Sequence, residues 1–127
     1  FLLQCTSPLT TFQDLDCAYR KFAENKADSL LAVTPSHMFL WKNCDGVDLA
    51  AINHDSSVRI ARQEIIDEYR ETGAFYLMRV SGFMETHHRF FGRIVGYEIP
   101  SNRSIDIDDF SDLRLANLML ESSEECL

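Results

Sequence analysis

Between Phe1 and Pro35 a strand, a helix and a second strand follow one another, and that order confines the chain to an α/β fold. Phe1-Leu2-Leu3-Gln4-Cys5 is apolar almost throughout, as expected of a short strand buried in a parallel sheet. Ser7-Pro8-Leu9 makes a loop, and Thr10 with Gln13 fits a capping box opening a helix. Phe12, Leu15, Tyr19 and Phe22 then recur at helical spacing, which predicts a core-facing stripe. Ser29–Val33 is a second apolar strand, stopped by Pro35, so the expected unit is a right-handed βαβ. Domains rarely begin on a central strand with no turn before it. The expectation is that residues 1–127 are the C-terminal part of a single larger domain.

From His37 the pattern changes. Met38–Lys42 predicts a strand, and Asn43-Cys44-Asp45-Gly46 carries the Asp-Gly hairpin signal. A polar, weakly periodic stretch runs to about Tyr69. Ala74–Val80 predicts a further strand of the main sheet, Ser81–His88 a short helix and Arg93–Ile99 another strand. Ile105–Asp108 ends a strand or sits just past one. Asp109 is placed to cap a closing helix carrying Phe110, Leu113, Ala116 and Leu120. The chain therefore reads as an α/β sheet interrupted by a protruding β excursion.

Charge narrows the function. With 12 basic against 20 acidic residues the net charge is -8, which argues against nucleic acid, whose phosphates are met by Lys and Arg. An anionic substrate would need a metal ion or locally clustered cations. Cys5, Cys17, Cys44 and Cys126 show no C-x-x-C spacing, so zinc is not expected, and reduced thiols in the cytoplasm are. No apolar stretch approaches the ~20 residues of a membrane span.

Asp106-Ile107-Asp108 is the sharpest chemical signal. In extended backbone residues i and i+2 point to one side, roughly 6–7 Å apart. Two carboxylates so placed suit one Mg²⁺, which also takes substrate phosphates. They also read as solvated turn residues before a helix. Arg59, Arg62, Gln63 and Arg70 would suit a carboxylate or phosphate ligand, or an exposed face pairing with Glu64, Asp67 and Glu68. In Glu71-Thr72-Gly73-Ala74-Phe75-Tyr76, Gly73 permits a close backbone approach. Tyr76 there is either a hydroxyl at a pocket edge or a core residue. Gln4 is a polar group on an otherwise apolar strand.

Together these segments resemble the cytidylyltransferases that make CMP-sialic acid and related CMP-nonulosonates. Leu3-Gln4-Cys5-Thr6-Ser7-Pro8-Leu9 resembles the family's L-Q-P-T-S-P-L-R, and Arg62-Gln63-Glu64 its R-Q-D. Thr72-Gly73-Ala74-Phe75-Tyr76 resembles N-G-A-x-Y, and Ser104–Asp108 reads S-I-D-I-D as the family does. The resemblance implies an incomplete Rossmann-like nucleotidyltransferase sheet with a β dimerisation excursion, about 36–70 with 81–92. It implies Mg²⁺ on Asp106 and Asp108 beside CTP, and a sugar-acid pocket lined by Gln4, Arg62 and Tyr76. It places Phe90 over the sugar of a neighbouring subunit in a homodimer, with Lys42 as the nearby lysine.

The chain departs from the pattern at Thr10 (usually Arg), Cys5 (Pro), Glu64 (Asp) and Thr72 (Asn), which leaves the sugar acid open. The alternatives are a relative acting on 3-deoxy-octulosonate, pseudaminate or legionaminate, which only the sugar pocket separates, and, from a different class, a non-catalytic module that dimerises or binds sugar acid. The family's opening strand and basic Gly-containing loop, which grip CTP, have no counterpart in these residues. The chain alone is therefore expected to turn over CTP poorly or not at all.

Overall fold

The computed structural model describes residues 1–58 and 60–124, with the side chains of Arg62 and residues 122–124 outside that description. Arg59 and Cys126 lie outside the described residues. The chain is α/β. It forms two compact units, Phe1–Thr34 with Arg70 onward, and Pro35–Tyr69.

The first unit holds a mixed sheet in the order β1-β5-β2-β6, built from Leu2–Leu3, Tyr69–Met78, Ser29–Pro35 and Ile94–Glu98. Its helices are α1 (Phe12–Glu24), α2 (Val80–Thr86) and α3 (Phe110–Glu124). β2 and β6 are parallel, with Ser29 opposite Ile94 and Val33 opposite Glu98. The core gathers Ala18 of α1, Leu30 and Ala32 of β2, Ala74, Phe75 and Leu77 of β5, and Ile99. Burying a side chain such as Phe75 or Leu30 contributes about 1.5–3 kcal/mol.

Several expectations are corrected. β1 is not a buried parallel strand. It pairs antiparallel with β5 at the sheet edge, and Phe1, Leu2 and Leu3 are exposed. A short apolar run reads alike in either setting, so periodicity cannot separate them. β5 also separates β1 from β2. The α1 cap sits one residue later than expected. Thr11 Oγ1 accepts from Asp14 N at 3.2 Å, and Asp14 Oδ2 accepts from Thr11 N at 2.9 Å. The stripe facing the core is Asp14 and Ala18, with Leu15 and Phe22 partly buried against it, while Phe12 and Tyr19 are exposed.

β5 begins at Tyr69 rather than Ala74, and the Ile105–Asp108 segment follows a 3-10 turn (Ser101–Arg103) instead of a strand. The closing helix buries Ala116 alone of its predicted stripe, with Phe110, Leu113 and Leu120 exposed. Asp109 does cap it. Its Oδ1 accepts from Ser111 N and Asp112 N, and Asp112 Oδ2 accepts from Asp109 N.

In the second unit β3 (Trp41–Asn43) and β4 (Leu49–Ala51) form the antiparallel hairpin signalled by Asp45-Gly46. Asp45 Oδ1 accepts from Val47 N and Asp48 N, which closes a five-residue turn between the strands. His54 lies between the Phe39 and Trp41 rings, at 4.7 and 4.9 Å between centroids. Among the described residues no helix is long and apolar enough to cross a membrane.

Candidate functional site

Three backbone ties assemble one corner of the first unit. The β1–β5 register sets Leu2 opposite Tyr76 and Leu3 opposite Phe75. Gln4 N continues it by donating to Ala74 O at 3.1 Å, which brings the Gln4 side chain beside Gly73. Ile107 N donates to Thr6 O at 2.8 Å, drawing the Asp106 segment against the same loop.

Gly73 is the centre of this corner. Its φ of +77° is open to glycine and strained for other residues. A Cβ there would lie 3.0 Å from Gln4 Oε1 and 3.1 Å from Asp106 Oδ2. Gln4 and Asp106, far apart in sequence, thus converge on one bare Cα. Thr72, where the resembled motif has Asn, is buried and ties the strand down: its Oγ1 donates to Ala32 O at 3.1 Å and accepts from Ala74 N at 3.3 Å. Gly73→Ala should cost about 1–3 kcal/mol through backbone strain and push the Gln4 and Asp106 side chains apart. Urea denaturation of the variant measures the cost, and a loss under 0.5 kcal/mol would contradict it.

The carboxylates around this corner divide into two sets. Asp109 and Asp112 are consumed by the α3 cap. Asp106 Oδ1 is buried without a hydrogen-bond partner among the described residues, and Asp108 is exposed. A buried carboxylate oxygen with no donor is costly unless something else meets it. Among the described residues no group of three His, Cys, Asp or Glu side chains could hold a metal ion. A cation here would take one or two carboxylates and complete its shell from phosphates and water, which is the habit of Mg²⁺. The donor set fits that ion.

Tyr76 forms the aromatic side of the corner. It is 3% exposed, and its hydroxyl donates to Glu71 Oε1. Burial, then the Glu71 hydrogen bond and charge, push its hydroxyl up to about 12, with Asp106 adding to the rise and Arg89 opposing it. Tyr76 therefore stays protonated at neutral pH. Phe90 meets its ring edge-on at 5.9 Å, and the Arg89 guanidinium lies 4.5 Å from its centroid.

Of the residues singled out in the sequence, Gln4, Tyr76, Phe90 and Asp106 share this corner, and Asp108 follows Asp106 towards solvent. Lys42 is on β3 and Arg62 in the 3-10 turn Arg62–Glu64, both in the second unit. Arg70 is committed within the first unit: its Nη2 donates to Ser104 Oγ at 3.0 Å. Glu71 and Arg89 escaped sequence reasoning. Glu71 stood inside a quoted motif, and Arg89 directly precedes Phe90, so proximity along the chain was the available signal.

Two curated pseudaminic acid cytidylyltransferases of Campylobacter jejuni strains are each 27% identical over 128 aligned positions, covering 97% of this chain. The N-acylneuraminate cytidylyltransferase B of Danio rerio is 28% identical over 84% of the chain. The chain is a homologue of the nonulosonic acid cytidylyltransferases. That is the family its four motifs resemble. The chain spans about half the length of the Campylobacter relatives (54%) and about a quarter of the fish protein (26%). No family model matches the sequence.

Proposed function

We propose that this chain carries the sugar-acid and metal-binding part of a nonulosonate cytidylyltransferase, which joins CTP to the anomeric hydroxyl of the acid and releases pyrophosphate. The observation that carries this reading is the convergence of Gln4 and Asp106 on Gly73, with Tyr76 and Phe90 beside them. Gln4 would hydrogen-bond the sugar through its amide. Tyr76 and Phe90 would pack against its apolar face. Asp106 and Asp108 would hold Mg²⁺, which when bound neutralises phosphate charge. The chain's own contribution is orientation: bringing a hydroxyl into line with the α-phosphorus needs no covalent intermediate on a side chain.

Arg62 and Lys42 are assigned to the acid on the resemblance alone. The sheet is proposed to be part of a Rossmann-like nucleotidyltransferase domain spanning 1–127. The second unit exposes Met38, Leu40, Trp41, Val47, Leu49 and Ile52, an apolar surface suited to a homodimer interface. The cytoplasm, where CTP is available, is the proposed location.

The test is pyrophosphate release from CTP and Mg²⁺ with N-acetylneuraminate, pseudaminate, legionaminate or 3-deoxy-octulosonate in turn. It is run on the 127-residue chain and on a version extended to the relatives' length. Release that needs both CTP and one of these acids, in the longer version, is the expected result. Silence with every acid in both versions would sink the enzymatic reading.

A further inference from the structure

The arm between α2 and β6 is built more firmly than its exposure suggests. Phe91 is anchored through both of its backbone polar groups: its N donates to Ser29 Oγ at 3.1 Å, and its O accepts from the same hydroxyl at 3.0 Å. Ser29 is fully buried on β2. The Phe91 ring fills the notch over Gly82 of α2, where a Cβ would fall 2.1 Å from it. Phe90 N donates to His88 Nδ1 at 3.1 Å, which fixes the turn. At the base of the arm Arg93 N donates to Asp28 Oδ2 at 2.8 Å.

This scaffold sets one of its two arginines, Arg89, against the aromatic rings of the corner. Arg89 lies over the Tyr76 ring at 4.5 Å and 5.8 Å from the Phe90 centroid. It is exposed, and neither ion pair found among the described residues, Arg79–Asp28 and Arg103–Asp14, includes it. The contrast with those two arginines is informative, because each is neutralised by a carboxylate of its own fold. A guanidinium stacked on an aromatic face keeps its planar N–H edge free for a carboxylate, and stacking restrains the side chain before any ligand arrives. The chain as a whole is acidic, with Asp106 and Glu71 both acting on Tyr76. An anionic ligand entering there needs a local cation to offset that field.

We infer that Arg89 is a specificity-determining residue that receives the carboxylate of a 2-hydroxy acid, the group a nonulosonic acid presents at its anomeric carbon. The inference rests on the function proposed above, to which it adds a cation supplied by the chain's own first unit. Lys and Arg differ here: Lys keeps the charge and loses the bidentate edge.

The test is NMR titration of the 127-residue chain with N-acetylneuraminate, its methyl ester and L-lactate, following the Arg89 Nε–H and the backbone amides of Gln4 and Gly73. Wild type should prefer the acid to the ester by about tenfold or more. Arg89→Met should abolish that preference and Arg89→Lys retain part of it. The exposed position leaves the fold intact, checked by unchanged amide shifts outside the arm. An equal preference in Arg89→Met and wild type would overturn the role of Arg89 and leave the sugar-acid reading standing. Saturable movement of the Arg89 Nε–H by lactate, with no binding of N-acetylneuraminate, would keep the carboxylate role and count against the sugar acid. An Arg89 Nε–H unmoved by all three ligands would overturn the inference.

Discussion

Arg103→Met should destabilise the protein by about 3–5 kcal/mol, because it strands a buried carboxylate. Asp14 is 3% exposed and accepts from both ends of the Arg103 guanidinium, at 2.9 Å between Nη2 and Oδ1. Arg103 Nη1 also reaches Leu9 O at 3.3 Å, so one side chain joins the α1 cap to the turn that launches the acidic segment. Burial pushes the Asp14 carboxyl up, but the hydrogen bonds from Arg103 and Thr11 outweigh it and hold the group at about 2. A carboxyl depressed in the folded state stabilises above its unfolded pKa, near 3.8, and loses that contribution as pH falls towards 2. The amount is about 2 kcal/mol. Thermal melts at pH 7 should show the variant roughly 10–20 °C below wild type. The gap should narrow below pH 3. A loss under 1 kcal/mol at pH 7 would mean that the pair is structurally idle.

Asp106→Asn carries the largest expected effect on turnover. The replacement keeps size and shape, removes the charge and exchanges one acceptor oxygen for an amide donor, at a carboxylate whose Oδ1 has no hydrogen-bond partner among the described residues. With no such bond lost from Oδ1, stability should change by less than about 1 kcal/mol. The rate should fall on the order of 10²–10³-fold, the usual consequence of deleting one preorganised electrostatic group at a reacting phosphate. Asp108→Asn should fall less, since that side chain is exposed to solvent. A slow but well-folded Asp106 variant separates a chemical role from a structural one.

The residues of the candidate site were easier to single out in the sequence than the fold that brings them together. Gln4, Gly73, Tyr76 and Asp106 lie in motifs whose order and spacing pointed to one family, and homology to that family follows from the relatives. Local elements with strong chemistry were equally readable: the Asp45-Gly46 hairpin and the Asp109 cap depend on side chains bonding their own backbone. What escaped was tertiary. Thr10 and Thr11 both satisfy a capping pattern, and Asp14 decides between them because it also meets Arg103. The apolar run at Phe1–Leu3 looks the same in a sheet interior and at its edge, so its antiparallel pairing with β5 had no local signature. Tyr76 and Glu71 meet five residues apart on one strand, a contact that alternation alone would not suggest.

The most direct measurement is the initial rate of pyrophosphate release from CTP as Mg²⁺ is titrated, with the sugar acid saturating. Wild type and Asp106→Asn are compared in the version of the protein that supports turnover. The account predicts a Mg²⁺-dependent wild-type rate, an Asp106→Asn rate lower on the order of 10²–10³-fold, and a raised half-saturating Mg²⁺ concentration. A variant that matched wild type across the titration would contradict the assignment of Asp106 and, with it, the site at Gly73.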